Sequence, residues 1–173
     1  MVHLELLKPC DEAQFIKDNQ YAFKYGAAQY YNEQEMETQY EEEGEIIAKE
    51  TIYNSIHHEG AIAYRIYDEK QIVGGIVINI QGEQGELELF FVNPDHHSSG
   101  IGQAAWKEIE RTHPEVRIWV MVTPCFEKCN THFYVNKLGF HFVAYYNEHN
   151  KDPEVEKDLF EMFKFQKIIA KQA

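Results

Sequence analysis

Val92-Asn93-Pro94-Asp95-His96-His97-Ser98-Ser99-Gly100-Ile101-Gly102 is the stretch that decides how this chain is read. Glu86 to Val92 is a β-rich run that Pro94 ends. Ile101 to Thr112 then has helical spacing, with Ile101, Ala105 and Ile109 on one face. A strand that breaks and loops into a helix presents backbone N–H groups at the helix's positive end, where phosphate or pyrophosphate binds. Small residues let a ligand approach the backbone, and glycine adopts angles that bulkier residues resist. A plain helix cap by Ser98 or Ser99 is the competing use of the same residues. Neither Gly-x-x-x-x-Gly-Lys-Ser/Thr nor Gly-x-Gly-x-x-Gly occurs, so the nucleotide-hydrolysing and dinucleotide loops are unsupported.

A second stretch, Asn130-Thr131-His132-Phe133-Tyr134-Val135-Asn136-Lys137-Leu138-Gly139-Phe140, reads as an amphipathic helix over Lys128 to Leu138 that Gly139 stops before a strand. Asn130 and Tyr134 are spaced to share one face of that helix. Upstream, Val2 to Leu7 reads as a strand, Pro9 starts a helix running to about Tyr25, and helical spacing resumes over Ile46 to His57. Ala61 to Tyr67 and Ile72 to Ile78 form a hairpin around Asp68-Glu69-Lys70, and Gly74-Gly75 marks a bulge or a close backbone approach. Strands follow over Glu86 to Val92, Val116 to Thr123, Phe140 to Tyr146 and Leu159 to Gln166, with a polar loop over Asn147 to Glu156. The fold class is mixed α/β, an antiparallel meander feeding a strand–loop–helix.

The first stretch resembles the Gln/Arg-x-x-Gly-x-Gly/Ala signature of the GCN5-related N-acetyltransferase (GNAT) superfamily, with that family's Val-x-Pro before it. His97 stands where the family usually has Gln or Arg. The resemblance covers the order of elements from Val2 to Gln166 and is strengthened by the second stretch at its spacing. It implies one acetyltransferase domain over residues 1–173. The implied fold is the acyl-CoA N-acyltransferase fold, a central, mostly antiparallel sheet with splayed parallel strands and flanking helices. It further implies acetyl-CoA as donor, bound by backbone at Phe90, Phe91 and Val92, by the loop His97, Ser98, Ser99, Gly100, Ile101 and Gly102, and by Asn130 and Tyr134, with no metal. Tyr134 would stand near the sulfur, where a phenol can protonate a departing thiolate.

An amine acceptor arrives protonated and must lose that proton before it attacks a thioester. Glu86 and Glu88 share a strand face opposite Leu87, Leu89 and Phe91, and Glu88 is the favoured base, directly or through water. The implied reaction is transfer of acetyl to a primary amine, with a small-molecule acceptor favoured. Its rivals are acetylation of a protein N-terminus or lysine, and a non-catalytic acyl-CoA-binding regulatory module. The acidic, tyrosine-rich segment Tyr30 to Glu45 is the expected acceptor wall, with Glu33, Glu35, Glu37 and Glu41 placed to attract an amine; a solvated charge run is the plainer reading.

Composition bounds the rest. A chain of 173 residues with 44% hydrophobic and 14% aromatic content can bury a real core. Net charge −13 and the absence of a Lys/Arg cluster argue against nucleic acid as a partner. Three cysteines, Cys10, Cys125 and Cys129, form no disulfide framework. No apolar run nears the ~20 residues a bilayer crossing needs, and the opening residues lack a basic leader. A cytoplasmic protein without membrane contact is expected, and a homodimer is left open. Cys125 and Cys129 with His132 lack the second ligand pair of a zinc site, and no base can be placed beside Cys125 as a nucleophile. The adjacent pairs His57-His58 and His96-His97 read as surface residues.

Overall fold

The chain is described by a computed structural model at residues 1–97, 100–125, 128–151, 153 and 161–170, with the backbone alone at 128 and 129. In order come β1 (Val2–Leu6), a 3-10 turn (Pro9–Asp11), α1 (Glu12–Ala28), α2 (Glu33–Glu37), α3 (Lys49–His57), β2 (Ala61–Asp68), β3 (Gln71–Gln81) and β4 (Gln84–Val92). A 3-10 turn (Pro94–His96) leads to α4 (Ile101–Thr112), β5 (Ile118–Pro124), α5 (Lys128–His132), a π-helical turn (Phe133–Lys137), β6 (His141–Tyr146) and β7 (Met162–Ile168). The strands form one seven-stranded sheet in the order β1-β2-β3-β4-β5-β7-β6. β4 and β5 pair in parallel, whereas β1 with β2, β2 with β3, β5 with β7 and β6 with β7 are antiparallel. No helix among the described residues is long and apolar enough to cross a membrane.

Two compact units divide the chain, residues 1–79 with 88–113, and residues 80–87 with 114–173. In the first, α1 contributes Phe15, Ile16 and Ala22 to a core shared with Ile47, Ile52, Val77, Leu89 and Phe91. Alternation on β4 works as its sequence dictates: Leu87, Leu89 and Phe91 are buried and Glu86 is exposed. Arg65 on β2 is buried; its Nε donates to Asp11 at the N-cap of α1 and its Nη1 to Asp18 within that helix, its Nη2 finds no partner among the described residues, and its guanidinium lies 5.0 Å above the Phe15 ring.

Both expectations for Gly74-Gly75 hold, and each has a geometric cause. Ile66 pairs with Gly74 but Tyr67 pairs with Ile72, so Val73 is an extra residue bulged out of β3. Its carbonyl accepts from Asn93 N at 2.8 Å. A Cβ on Gly74 would stand 2.2 Å from the Phe91 carbonyl oxygen, and one on Gly75 would stand 2.3 Å from Phe15 Cε2. Glycine here lets β3 lie close against the end of β4, its neighbour in the sheet, and makes room for the edge-to-face pair Phe15–Phe91, whose centroids are 5.2 Å apart.

In the second unit the parallel ladder runs from Gln84↔Ile118 to Leu87↔Met121, the first four residues of β4. A Cβ on Gly85 would meet the buried Trp119 ring at 2.4 Å, so glycine there seats the indole.

Several expected boundaries move. The helix expected over Ile46 to His57 begins at Lys49, because Glu41 Oε2 accepts from Ala48 N (2.8 Å) and Thr51 Oγ1 (2.9 Å) and so caps it there. Helix α1 runs past Tyr25 to Ala28, and the strand expected from Val116 starts at Ile118. The last strand spans Met162–Ile168 rather than Leu159 to Gln166; Leu159 and most of the Asn147 to Glu156 loop beyond Lys151 lie outside the described residues. The helix expected over Lys128 to Leu138 changes winding at Phe133, where Leu138 N reaches back five residues to Phe133 O at 3.1 Å.

Candidate functional site

The strand–loop–helix is built as its sequence suggests. Pro94 opens a 3-10 turn, and Gly100 at φ 78° is the N-cap of α4 without a side-chain cap. Only a residue tolerant of the left-handed region caps here cheaply, which is why glycine precedes the helix. A Cβ on Gly100 would meet nothing within 4 Å, so the loop surface is open beside it. Ile101, Ala105, Trp106 and Ile109 bury the opposite face and hold the helix start in place. Gly100, Ile101 and Gly102 thus form the helix start, with no side-chain cap from the N-cap residue itself; Ser98 and Ser99, the expected capping residues, lie outside the described residues.

His97 folds back rather than outward. Its Nε2 donates to Val92 O at 2.9 Å, tying the loop to the end of β4, and its ring meets Tyr25 edge-on with centroids 5.8 Å apart. Phe90, Phe91 and Val92, the last residues of β4, lie beyond the ladder to β5.

Tyr134 sits in the π-helical turn and is 6% exposed. Its ring packs on Phe133 (5.5 Å between centroids) and Phe140 (6.1 Å). Gly139 at φ 79° ends the turn as expected, with Phe140 N donating to Tyr134 O at 3.0 Å in a Schellman-like closure. Asn130 is exposed where Tyr134 is buried. The winding changes from α to π between them, at Phe133.

Of the two candidate bases, Glu86 is exposed, and Glu88 has a partner the sequence did not offer: its Oε1 is bound to His58 Nε2. The Glu88 side chain is 14% exposed and that of His58 37%. On the other side of the ring, His58 Nδ1 lies 3.2 Å from Asn79 Nδ2 and 3.0 Å from Glu59 O. His58 is thus a surface residue as expected, but one with polar partners on both sides of its ring; His57, bonded to Glu12 at 2.9 Å, is also at the surface. Thirty residues separate His58 from Glu88, and no periodic signal links them.

The acidic segment is more structural than expected. Glu35 closes a capping box with Asn32 (2.9 and 3.0 Å) and Glu41 caps α3, leaving Glu33 and Glu37 exposed. At the end of β5, burial and then the Glu161 charge push the Cys125 thiol up to about 11, so it is a poor nucleophile at neutral pH. Among the described residues no three His, Cys, Asp or Glu side chains gather as metal ligands, and the side chain of Cys129 lies outside them.

A family model described as "Acetyltransferase (GNAT) family" matches residues 21–140, a span that contains the loop, β4, α4 and the π-helical turn. The chain belongs to the GNAT acetyltransferase family. A Bacillus subtilis (strain 168) protein described as "Uncharacterized protein YrkN" is 39% identical over 183 residues, covering 99% of this chain and 95% of that one. The fold is similar to that of the PaiA N-acetyltransferase of Thermoplasma acidophilum, solved in complex with coenzyme A, at TM-score 0.68 and 18% identity over 98% of this chain and 99% of that one. It is also similar to the ribosomal-protein-S18-alanine N-acetyltransferase of Escherichia coli, at TM-score 0.67 and 12% identity over 100% and 97% of the two chains. This GNAT chain thus has the mixed sheet and flanking helices of these folds.

Proposed function

We propose that this GNAT protein transfers the acetyl group of acetyl-CoA to a primary amine on a small molecule, as one cytoplasmic domain. The observation that carries the donor assignment is the left-handed glycine N-cap of α4, open at Gly100, in a family member. Backbone N–H groups of the loop from His97 to Gly102 would hold the pyrophosphate. Phe90 to Val92 would hydrogen-bond the pantetheine arm, with N–H groups near Phe91 and Val92 facing the developing oxyanion. Asn130 would contact the arm, Tyr134 would protonate the leaving thiolate, and Glu88 would take the amine's proton. The coenzyme A complex of the Thermoplasma PaiA enzyme supports the donor class. A protein acceptor is the second reading, because the similar Escherichia coli enzyme is described as acting on the alanine of a ribosomal protein.

The test is thermal unfolding with ligands. Acetyl-CoA at 100 times its Kd should stabilise the folded protein by about 2.7 kcal/mol, raising Tm by several degrees, whereas NAD and ATP should not. Gly100→Val should weaken that shift, since its positive φ resists a β-branched side chain. No shift at saturating acetyl-CoA would overturn the donor assignment. CoA release across amines, polyamines, aminoglycosides, amino acids and peptides then names the acceptor; release with peptides alone would favour the second reading, and release with none would favour a binding module.

His97 makes a separable prediction. As a pin on Val92 O, its Nε2–H donates whether the ring is neutral or charged, so His97→Ala should weaken acetyl-CoA binding roughly fivefold, alike at pH 6 and pH 8. Isothermal titration checks this. A loss seen at pH 6 and absent at pH 8 would make His97 a cationic phosphate contact instead.

A further inference from the structure

We infer that His58 is the positioning residue for Glu88. Its Nε2–H holds Oε1 and leaves Oε2 as the atom that receives the amine's proton. The inference rests on the reading of Glu88 as the base and adds to it a residue from outside β4.

The direction of the contact follows from what surrounds the ring. Asn79 is buried, and its Nδ2 lies 3.2 Å from both His58 Nδ1 and Glu59 O. Turning the amide over would set its oxygen against the Glu59 carbonyl, so Nδ2 faces the ring and offers a hydrogen to Nδ1. A neutral ring that accepts at Nδ1 carries its own proton at Nε2, which points at Glu88 Oε1. A ring that gains a second proton finds Glu59 O at 3.0 Å from Nδ1 and still presents Nε2–H to Glu88. In both states the carboxylate receives a hydrogen bond from the same atom.

The consequence for Glu88 is orientation. Glutamate has three side-chain torsions, and a base is effective only within hydrogen-bond reach of the proton it takes. His58 fixes one oxygen from a ring that is itself fixed by Asn79 and the Glu59 carbonyl. Among the described residues no hydrogen bond is assigned to Glu88 Oε2. The proton leaves the ammonium nitrogen, bonds to Oε2, and frees the nitrogen lone pair for attack; the charge on the carboxylate is neutralised in the same step. The Asn79 amide oxygen, buried without a partner, faces Gly60, where an added Cβ would come within 2.8 Å of it. The tight turn at Gly60 thus seats Asn79 against the ring.

Kinetics of Glu88→Gln, His58→Ala, His58→Gln and the double variant Glu88→Gln/His58→Ala test the assignment. They use acetyl-CoA with the amine giving the fastest CoA release in the screen above, with folding of each variant checked by circular dichroism. His58→Ala should lower kcat about tenfold with KM for acetyl-CoA unchanged. His58→Gln, whose amide N–H can occupy the place of Nε2–H, should recover most of it. In the Glu88→Gln background His58→Ala should cost nothing further. A slow Glu88→Gln enzyme beside a His58→Ala enzyme of wild-type kcat overturns the inference and spares the base. So does failure of His58→Gln to recover activity, or an added loss in the double variant. Wild-type turnover by Glu88→Gln overturns the base assignment itself. A measurement without acceptor runs in parallel: long-range 1H–15N spectra of histidine-labelled protein should show His58 protonated at Nε2. A ring protonated at Nδ1 alone would remove the proposed donor.

Discussion

Tyr134→Phe should lower turnover about 100-fold or more while acetyl-CoA affinity holds, because general acid catalysis contributes on that scale and the substitution removes only the acid. The ring contacts survive the substitution. Tyr134 is 6% exposed, and its ring edges contact Phe133 and Phe140, contacts that a phenylalanine keeps. The backbone that carries the ring is set by the π-helical turn Phe133–Lys137 and by the closure of Phe140 N on Tyr134 O, neither of which involves the hydroxyl. A fall in kcat with unchanged acetyl-CoA binding therefore reports chemistry and not packing. Near-wild-type turnover, with chemistry shown to limit the rate, would leave water as the acid and Tyr134 as a core aromatic.

What the sequence made legible is what local rules determine. The hairpin of β2 and β3, the alternation along β4 and the bounds of α4 follow from turn residues and periodicity, and each stands where those rules put it. The π-helical turn was hidden because winding depends on how Phe133 to Lys137 pack, and the residues themselves are compatible with a plain α-helix. The start of α3 was hidden because its cap, Glu41, is supplied from outside the helical spacing. His58 was hidden for the strongest form of the same reason: its partners Asn79 and Glu88 lie on β3 and β4, and only register brings them to the ring. The family motif led to the family that the matching model shows, but it carried no information about contacts that the family signature does not contain.

Gly74→Ala should destabilise the protein by about 1–3 kcal/mol and lower Tm by several degrees or more, the cost of overpacking at a site that cannot relax cheaply. The new Cβ would stand 2.2 Å from Phe91 O and 3.1 Å from Val92 Cα, and both of these are backbone, not the ends of flexible side chains. Relief requires β4 to move away from β3 at Phe91 and Val92, against the hydrogen bond from Asn93 N to Val73 O just beyond. Those are the residues proposed to bind the pantetheine arm, so acetyl-CoA affinity should fall together with stability. Gly26→Ala provides the opposite sign in the same unit: it lies within α1, a Cβ there meets nothing within 4 Å, and alanine should stabilise by roughly 0.5–1 kcal/mol with binding unchanged. Thermal melts with and without acetyl-CoA measure both effects. If Gly74→Ala lost stability but bound acetyl-CoA as the parent does, the end of β4 would not be part of the donor site, and the arm would have to be held by the loop and Asn130 alone.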